Sequence, residues 1–340
     1  MDEPTRAGQL LMVGLGSGAP APPAVLAAVR DSHAGGLVLF GSGWRGADRV
    51  RAAVEPLQAA AGGLAKLLVA GNQEGGEQGS LQAFYGPGFD AIPAPVVQGG
   101  EAVATLEADA ARWGAQLAAA GVNLDLAPVV DTVPLGTDAA NAPIGAMGRE
   151  LGHEPTGVAT HGAAVVRGLR TGGVQSTLKH FPGLGRVRSN TDFSASGTVD
   201  SVTMDGDPYL QPFVAGVAAG ARFVMVSSAT YTRIDAHSRA VFSAPVLAML
   251  RRVLGADVVA VSDDVGAAAS VASVPVGERA VRFVDAGGDI VLTVEASQAP
   301  VMSAALVERS TSDPGFKARL DSSVLRVLRA KLDMGLLGAC

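Results

Sequence analysis

Polar residues recur at one kind of position in this sequence, immediately after short apolar runs. Asn72-Gln73-Glu74 follows the run 67–70, Asp125 and Asp131 flank the end of 123–126, and Lys179-His180 closes 177–180. Ser227-Ser228 follows 223–226, Ser262-Asp263-Asp264 follows 258–261, and Asp192 lies in the segment after Lys179-His180. Carboxyl groups can attack, donate or accept a proton according to their surroundings, so several of them converging on one place could run acid/base or nucleophilic chemistry. The side chains of Asn72-Gln73-Glu74 suit the hydroxyls of a sugar, or else they merely cap a turn formed by Gly75 and Gly76. Lys179 at the end of an apolar strand needs an acceptor, and His180 beside it is a candidate binding residue. Asp192 either caps its turn or acts in catalysis. One of Asp263 and Asp264 should face a ligand and the other sideways, with a helix cap near Gly266 accounting for one acid but not both.

The elements that would position these residues are eight short β-rich runs, at 10–13, 37–40, 67–70, 123–126, 177–180, 223–226, 258–261 and 290–293. Stretches of helical period separate them, such as 102–120, 157–169 and 246–254. Regular alternation of strand and helix predicts a parallel sheet with right-handed crossovers, and eight units favour a (β/α)8 TIM barrel over a doubly wound open sheet. Such a barrel gathers its reactive groups after the C-terminal strand ends, where the polar residues fall. Ala- and Gly-rich stretches such as 59–63 read as helix interiors and ends, because the strand pattern resumes after each. One domain is expected over 1–340, with an amphipathic segment at 324–337 packed outside the barrel.

Composition removes several classes of function. The net charge is -6, and no Lys/Arg run exists to neutralise phosphates, so nucleic acid is not an expected partner. No apolar run approaches the ~20 residues of a membrane span, and the acidic start lacks a secretory pattern, so no membrane is expected and the location should be cytoplasmic. The lone cysteine, Cys340, excludes an internal disulfide. Of His33, His153, His161, His180 and His237 only His180 stands at a strand end, which argues against a catalytic metal; no cofactor is expected. The chain should be a monomer or a weak homo-oligomer.

Taken in order, these segments resemble glycoside hydrolase family 3, in its single-domain bacterial β-N-acetylglucosaminidase branch and in an actinobacterial-type variant. The resemblance rests on Gly8-Gln9-Leu10-Leu11-Met12-Val13-Gly14, Gly35-Gly36-Leu37-Val38-Leu39-Phe40, Gln73-Glu74-Gly75-Gly76 and the stretch 121–131. Lys179-His180-Phe181-Pro182-Gly183 and Ser262-Asp263-Asp264 complete it. It implies a retaining hydrolysis of terminal β-linked N-acetylglucosamine, with cell-wall fragments as the source of substrate, through a glycosyl-enzyme on Asp263. It also implies sugar-binding roles for Lys179, His180, Arg149, Asn72 and Asp125.

Five departures accompany the resemblance. Asp192, in Asn190-Thr191-Asp192, stands where the branch has its acid/base histidine; Asn190 replaces the aspartate that orients it, and Leu184 replaces another histidine. A carboxyl can donate the proton, and its charge disfavours phosphate as the acceptor, so hydrolysis is expected over phosphorolysis. Asn72 stands for the usual aspartate, and Ser80 or a neighbour for an arginine. Losing a charge-assisted contact of ~1.5 to 3 kcal/mol at Asn72 would reduce activity or change the preferred sugar. The alternative is a barrel that has lost catalysis and only binds sugar.

Overall fold

The computed structural model describes residues 1–17, 20–62, 65–77 and 81–338, which leaves Gly63, Ser80 and Cys340 outside the described residues. Eight parallel strands run in chain order: β1 (Leu11–Gly16), β2 (Gly36–Phe40), β3 (Leu68–Gly71), β4 (Leu124–Asp125), β5 (Gln175–Phe181), β6 (Phe223–Val226), β7 (Val259–Ser262) and β8 (Val291–Thr293). Each pairs with the next, and β1 also pairs with β8. Between β7 and β8 the ring closes through a parallel bridge, Val261 to Ile290, and the Leu292 N–H donates to Ser262 Oγ at 2.9 Å. This is the expected (β/α)8 TIM barrel. Its strands are buried on both faces, by the barrel interior and by the helices, which is why they read as unbroken apolar runs rather than as alternating patterns.

The Ala- and Gly-rich stretches are helix surfaces in close contact. Helices Val103–Ala119 and Pro155–Thr171 cross so tightly that a Cβ on Gly168 would lie 2.4 Å from Glu107 O, and one on Gly172 2.5 Å from Ala111 O. Helix Ala47–Ala61 ends at Gly62, as a helix end was expected there.

Other expectations shift. No helix begins near Gly266: a single 3-10 turn, Ala269–Val271, comes first, and the next helix is Val276–Asp285. Pairs as short as Trp44–Arg45 with Phe84–Tyr85, and the small sheet of Val199–Asp200, Thr230–Tyr231 and Asp235–Arg239, decorate the loops; such strands are too short to carry a period. Among the described residues no helix is long and apolar enough to cross a membrane.

The segment expected at 324–337 belongs to a longer helix, Pro314–Asp333, capped by the Asp313 side chain. It packs with Phe316, Leu320, Val324 and Val327, but its inward face also carries Lys331, fully buried, whose Nζ donates to Gln9 Oε1 at 2.7 Å. Burial without an opposing charge pushes the Lys331 pKa down to about 7 from 10.5. The unfolded chain therefore binds an extra proton between those values, so wild-type stability should rise with pH across that window. Lys331→Met should be more stable than wild type at pH 7 by about 1 kcal/mol or more, and should lose that rise; urea unfolding at pH 7 and pH 9.5 tests both.

Candidate active site

The C-terminal strand ends surround a cavity of about 490 Å³. Asn72, Arg149, Lys179, His180, Asp192 and Asp263 all line it, so six of the seven residues singled out by sequence meet in one place. A floor of Val38, Leu126, Met225 and Leu292 excludes water beneath them.

Its charge rests on Glu74, whose side chain is completely buried. Arg149 donates to both carboxylate oxygens, Nε to Oε2 at 2.8 Å and Nη2 to Oε1 at 2.7 Å, and Lys179 Nζ lies 2.7 Å from Oε1. Burial alone would raise the Glu74 pKa, but the Arg149 charge, then that of Lys179, overcomes it and holds the carboxyl well below the usual range. Lys179 Nζ also donates to Asn72 Oδ1 at 2.6 Å, so the amide in the aspartate position keeps the hydrogen bond without the charge. Two glycines let the chain turn immediately after Glu74: Gly75 has φ +101°, and a Cβ there would stand 2.2 Å from Pro93 O.

A second buried acid, Asp131, organises the other side. It accepts His180 Nδ1 at 2.7 Å, the His180 N–H at 3.1 Å and the Leu184 N–H at 2.7 Å. With Nδ1 carrying the proton toward Asp131, Nε2 is the ring nitrogen open to a ligand. Lys179 and His180 are joined by a cis peptide, and the ladder with β6 shifts between Leu178 and Phe181.

Asp263 follows β7, half-buried at the cavity, with its N–H donating to Val226 O at 3.0 Å. Burial, and next the negative charge of Asp192, push its pKa up to about 6, while His180 pulls the other way. Asp264 takes the sideways role: it accepts N–H groups of Gly266, Ala267 and Val294 at 2.8, 2.9 and 3.0 Å, closing a turn rather than capping a helix. Asp192 does not cap its own turn. That task falls to Asn190, whose Oδ1 accepts the Asp192 N–H at 2.8 Å, and the Asp192 carboxylate is exposed and accepts no hydrogen bond among the described residues. Its loop docks on the segment after Asp264 through Ala269 N–H to Asp192 O at 3.0 Å and Ser270 N–H to Thr191 O at 3.2 Å.

Two expectations need correction. Asp125 does not line the cavity; it is buried under the helices near Trp113, accepts the Gln73 N–H at 3.0 Å, and has its pKa pushed up to about 7 by burial. Side chains alternate across a strand, and Leu126, one residue on, is the one that faces the cavity. Of Asn72-Gln73-Glu74 only Asn72 reaches it. Gln73 instead pairs with the backbone of Phe84, at 2.8 and 3.0 Å, while Glu74 and Asp131 act from beneath as the anions for the cavity's cations and imidazole. Their signal in the sequence was electrostatic: a buried lysine and arginine require a buried acid. The expectation at Ser80 lies outside the described residues.

Glu74→Gln should lower the unfolding free energy at pH 7 by about 3 to 5 kcal/mol, because it leaves two buried cations short of an anion. A lowered carboxyl pKa stabilises only above its unfolded value of 4.5, so the gap between the proteins should narrow as pH falls below that value. A constant gap from pH 7 to pH 3 in denaturant titrations would show that charge is not what Glu74 contributes.

Comparison with known proteins places this geometry. The Glycosyl hydrolase family 3 N terminal domain matches residues 4–330. A β-N-acetylhexosaminidase of Beutenbergia cavernae superposes with a TM-score of 0.93 at 45% identity, covering 97% of this chain and 98% of that one. A family 3 β-N-acetylglucosaminidase from a Paenibacillus strain superposes at 0.84 with 26% identity, over 100% of this chain and 64% of that one. A β-hexosaminidase of Xanthomonas axonopodis pv. citri is 34% identical over 265 residues, 76% of this chain and 75% of that protein. A barrel whose carboxyls and cations share one cavity, matched over nearly its whole length by the family, belongs to glycosyl hydrolase family 3 and is a glycoside hydrolase acting on a carbohydrate.

Proposed function

We propose that this glycoside hydrolase is a retaining β-N-acetylhexosaminidase, releasing terminal β-linked N-acetylglucosamine, with cell-wall fragments as its source of substrate. The observation that carries the mechanism is that Asp263 and Asp192 line one cavity together with Lys179, His180 and Arg149. The 45% identity to the Beutenbergia β-N-acetylhexosaminidase over almost the whole of both chains supports the sugar.

Two carboxyls lining one cavity can divide the work of a double displacement, one as nucleophile and the other as acid and base. In the first step the Asp263 carboxylate attacks the anomeric carbon while Asp192, holding the proton, gives it to the departing oxygen. In the second, Asp192 takes a proton from water, which attacks the same carbon and releases Asp263. Lys179, Arg149, Asn72 and His180 hold the ring substituents, and Glu74 and Asp131 keep those four oriented so that no reorganisation is needed at reaction. Exposed Asp192 suits a role beside solvent, where water must enter, and its negative charge in the second step opposes a phosphate acceptor. Phe193, 84% exposed at the rim of the cavity, offers a ring to the leaving group. A barrel that only binds sugar is not favoured, since both carboxyls, Lys179 and Arg149 remain in place.

Asp263→Ala and Asp263→Asn should abolish turnover of an aryl β-N-acetylglucosaminide in folded protein, and persistent turnover in either would refute attack by Asp263. With the 4-nitrophenyl substrate, kcat/KM should rise with pH through about 6, because Asp263 must be ionised to attack. With a 2,4-dinitrophenyl leaving group, which departs without a proton, that rise should persist, since it reports the nucleophile. Asp192→Ala should slow the first substrate ~10²–10⁴-fold, with azide restoring the rate as a glycosyl azide of retained configuration. No rescue, or a product of inverted configuration, would remove Asp192 and the covalent route respectively.

A further inference from the structure

We infer that the long loop between β4 and helix Pro155–Thr171 holds a divalent metal site, formed by Asp138, Glu150 and His153. One ligand atom from each residue lies within 4.8 Å of the other two. Proximity of acids would be unremarkable on an open surface, but Glu150 is 2% exposed, and its Oε2 is shut off from solvent with no hydrogen-bond partner. Asp138 is partly exposed, yet its Oδ1 is also out of solvent, makes no hydrogen bond and faces the His153 ring at 3.5 Å. A buried carboxylate oxygen without a partner, close to a second acid, is costly unless a cation joins them.

Among the described residues, the cationic candidate beside them is His153, and its geometry fits a ligand better than an ion-pair partner. His153 Nδ1 stands 3.5 Å from Asp138 Oδ1, long for a hydrogen bond, and 3.1 Å from Val133 O. A tetrahedral ion with bonds of about 2.0–2.2 Å holds its ligands about 3.3–3.5 Å apart, so the Asp138–His153 edge already has the right length. Glu150 supplies the third corner, within 4.8 Å of both. A cation seated there replaces the proton on Nδ1, and Val133 O becomes a fourth donor. One imidazole nitrogen with three oxygens suits Zn²⁺, and the usual affinity order puts Mn²⁺ behind it.

The site lies outside the catalytic cavity, yet Glu150 is the residue after Arg149, whose guanidinium grips Glu74. Metal here would fix the loop on which Arg149 stands, a structural task rather than a chemical one.

Titration of metal-free full-length protein with ZnSO₄ at pH 7.5 should show one equivalent bound with micromolar or tighter Kd, and a rise in Tm of about 3 °C at a hundredfold excess over Kd. Glu150→Gln and His153→Ala should each weaken binding at least tenfold and remove the rise in Tm, while Asp192→Asn should bind as wild type does. Co²⁺ in place of Zn²⁺ should give visible d–d bands that His153→Ala loses, a signature that does not depend on how stable either variant is. Absence of stoichiometric binding overturns the site, as does binding that survives both loop variants or is lost in Asp192→Asn. So would a Glu150→Gln protein that is more stable than wild type in saturating Zn²⁺, because a neutral Glu150 would then explain its unpaired oxygen.

Discussion

Everything around the cavity depends on one buried anion meeting two cations. Glu74 has no access to water, so its charge exists only because Arg149 and Lys179 surround it. The converse also holds, since neither cation could stay ionised and fixed at the cavity wall without it. The cluster is not neutral: two positive groups share one carboxylate, and Asn72, the fourth member, adds a dipole and no charge. A surplus positive charge thus faces the two carboxyls opposite, and the charges of Arg149 and Asp192 attract one another across the cavity. The negative charge of Asp192 works against ionisation of the buried Asp263. An aspartate at position 72 would cancel the surplus, so the amide there changes the electrostatic balance of the whole cavity as well as one contact to a hydroxyl.

The chain must deliver these groups from loops that contain little regular structure. Between β4 and helix Pro155–Thr171 there are only two 3-10 turns, and polar side chains hold the rest in place. Buried Asn141 accepts the N–H groups of Ile144 and Gly145 and donates to the carbonyls of Leu184 and Val187, at 2.6 to 3.2 Å, so it stitches this loop to the one after β5. Asp131 joins the same two loops through His180 and Leu184. Backbone groups that would otherwise be buried without partners are satisfied, and the loops acquire the rigidity that a site built on strands would have.

This division explains what could be read in the sequence. The strands were legible because parallel strands covered on both sides are runs of apolar residues, and the position of Asp263 follows from where β7 ends. Parity along the strand left open which of Asp263 and Asp264 faces inward; the resemblance named Asp263, and Asp264 is the one engaged by the N–H groups of Gly266, Ala267 and Val294. No parity argument was available for Asp125. β4 spans only Leu124–Asp125, too short for the pattern to show which residue faces the axis, and the outward choice becomes visible only when Trp113 and the helices are packed against it. Glu74 and Gln73 were recognised as polar but not as support, because burial beneath a cavity is a tertiary property. Lys179 carried the clue, as a strand-end lysine that needed an anion.

The placement of Asp192 is a different problem, because it hangs from a loop and its carboxylate is held by no hydrogen bond among the described residues. Its backbone is what is fixed. Asp264 draws Gly266, Ala267 and Val294 together, and that fold-back presents the N–H groups of Ala269 and Ser270 to the carbonyls of Asp192 and Thr191. Asn190 completes the turn from the other side. The two carboxyls of the pair are therefore tied through a short covalent and hydrogen-bonded path that begins at the residue after Asp263, and a shift of β7 would carry both together. Where a histidine in that place would need an acid to set its tautomer, a carboxyl needs only its position, which is consistent with Asn190 acting on the backbone instead of on a side chain.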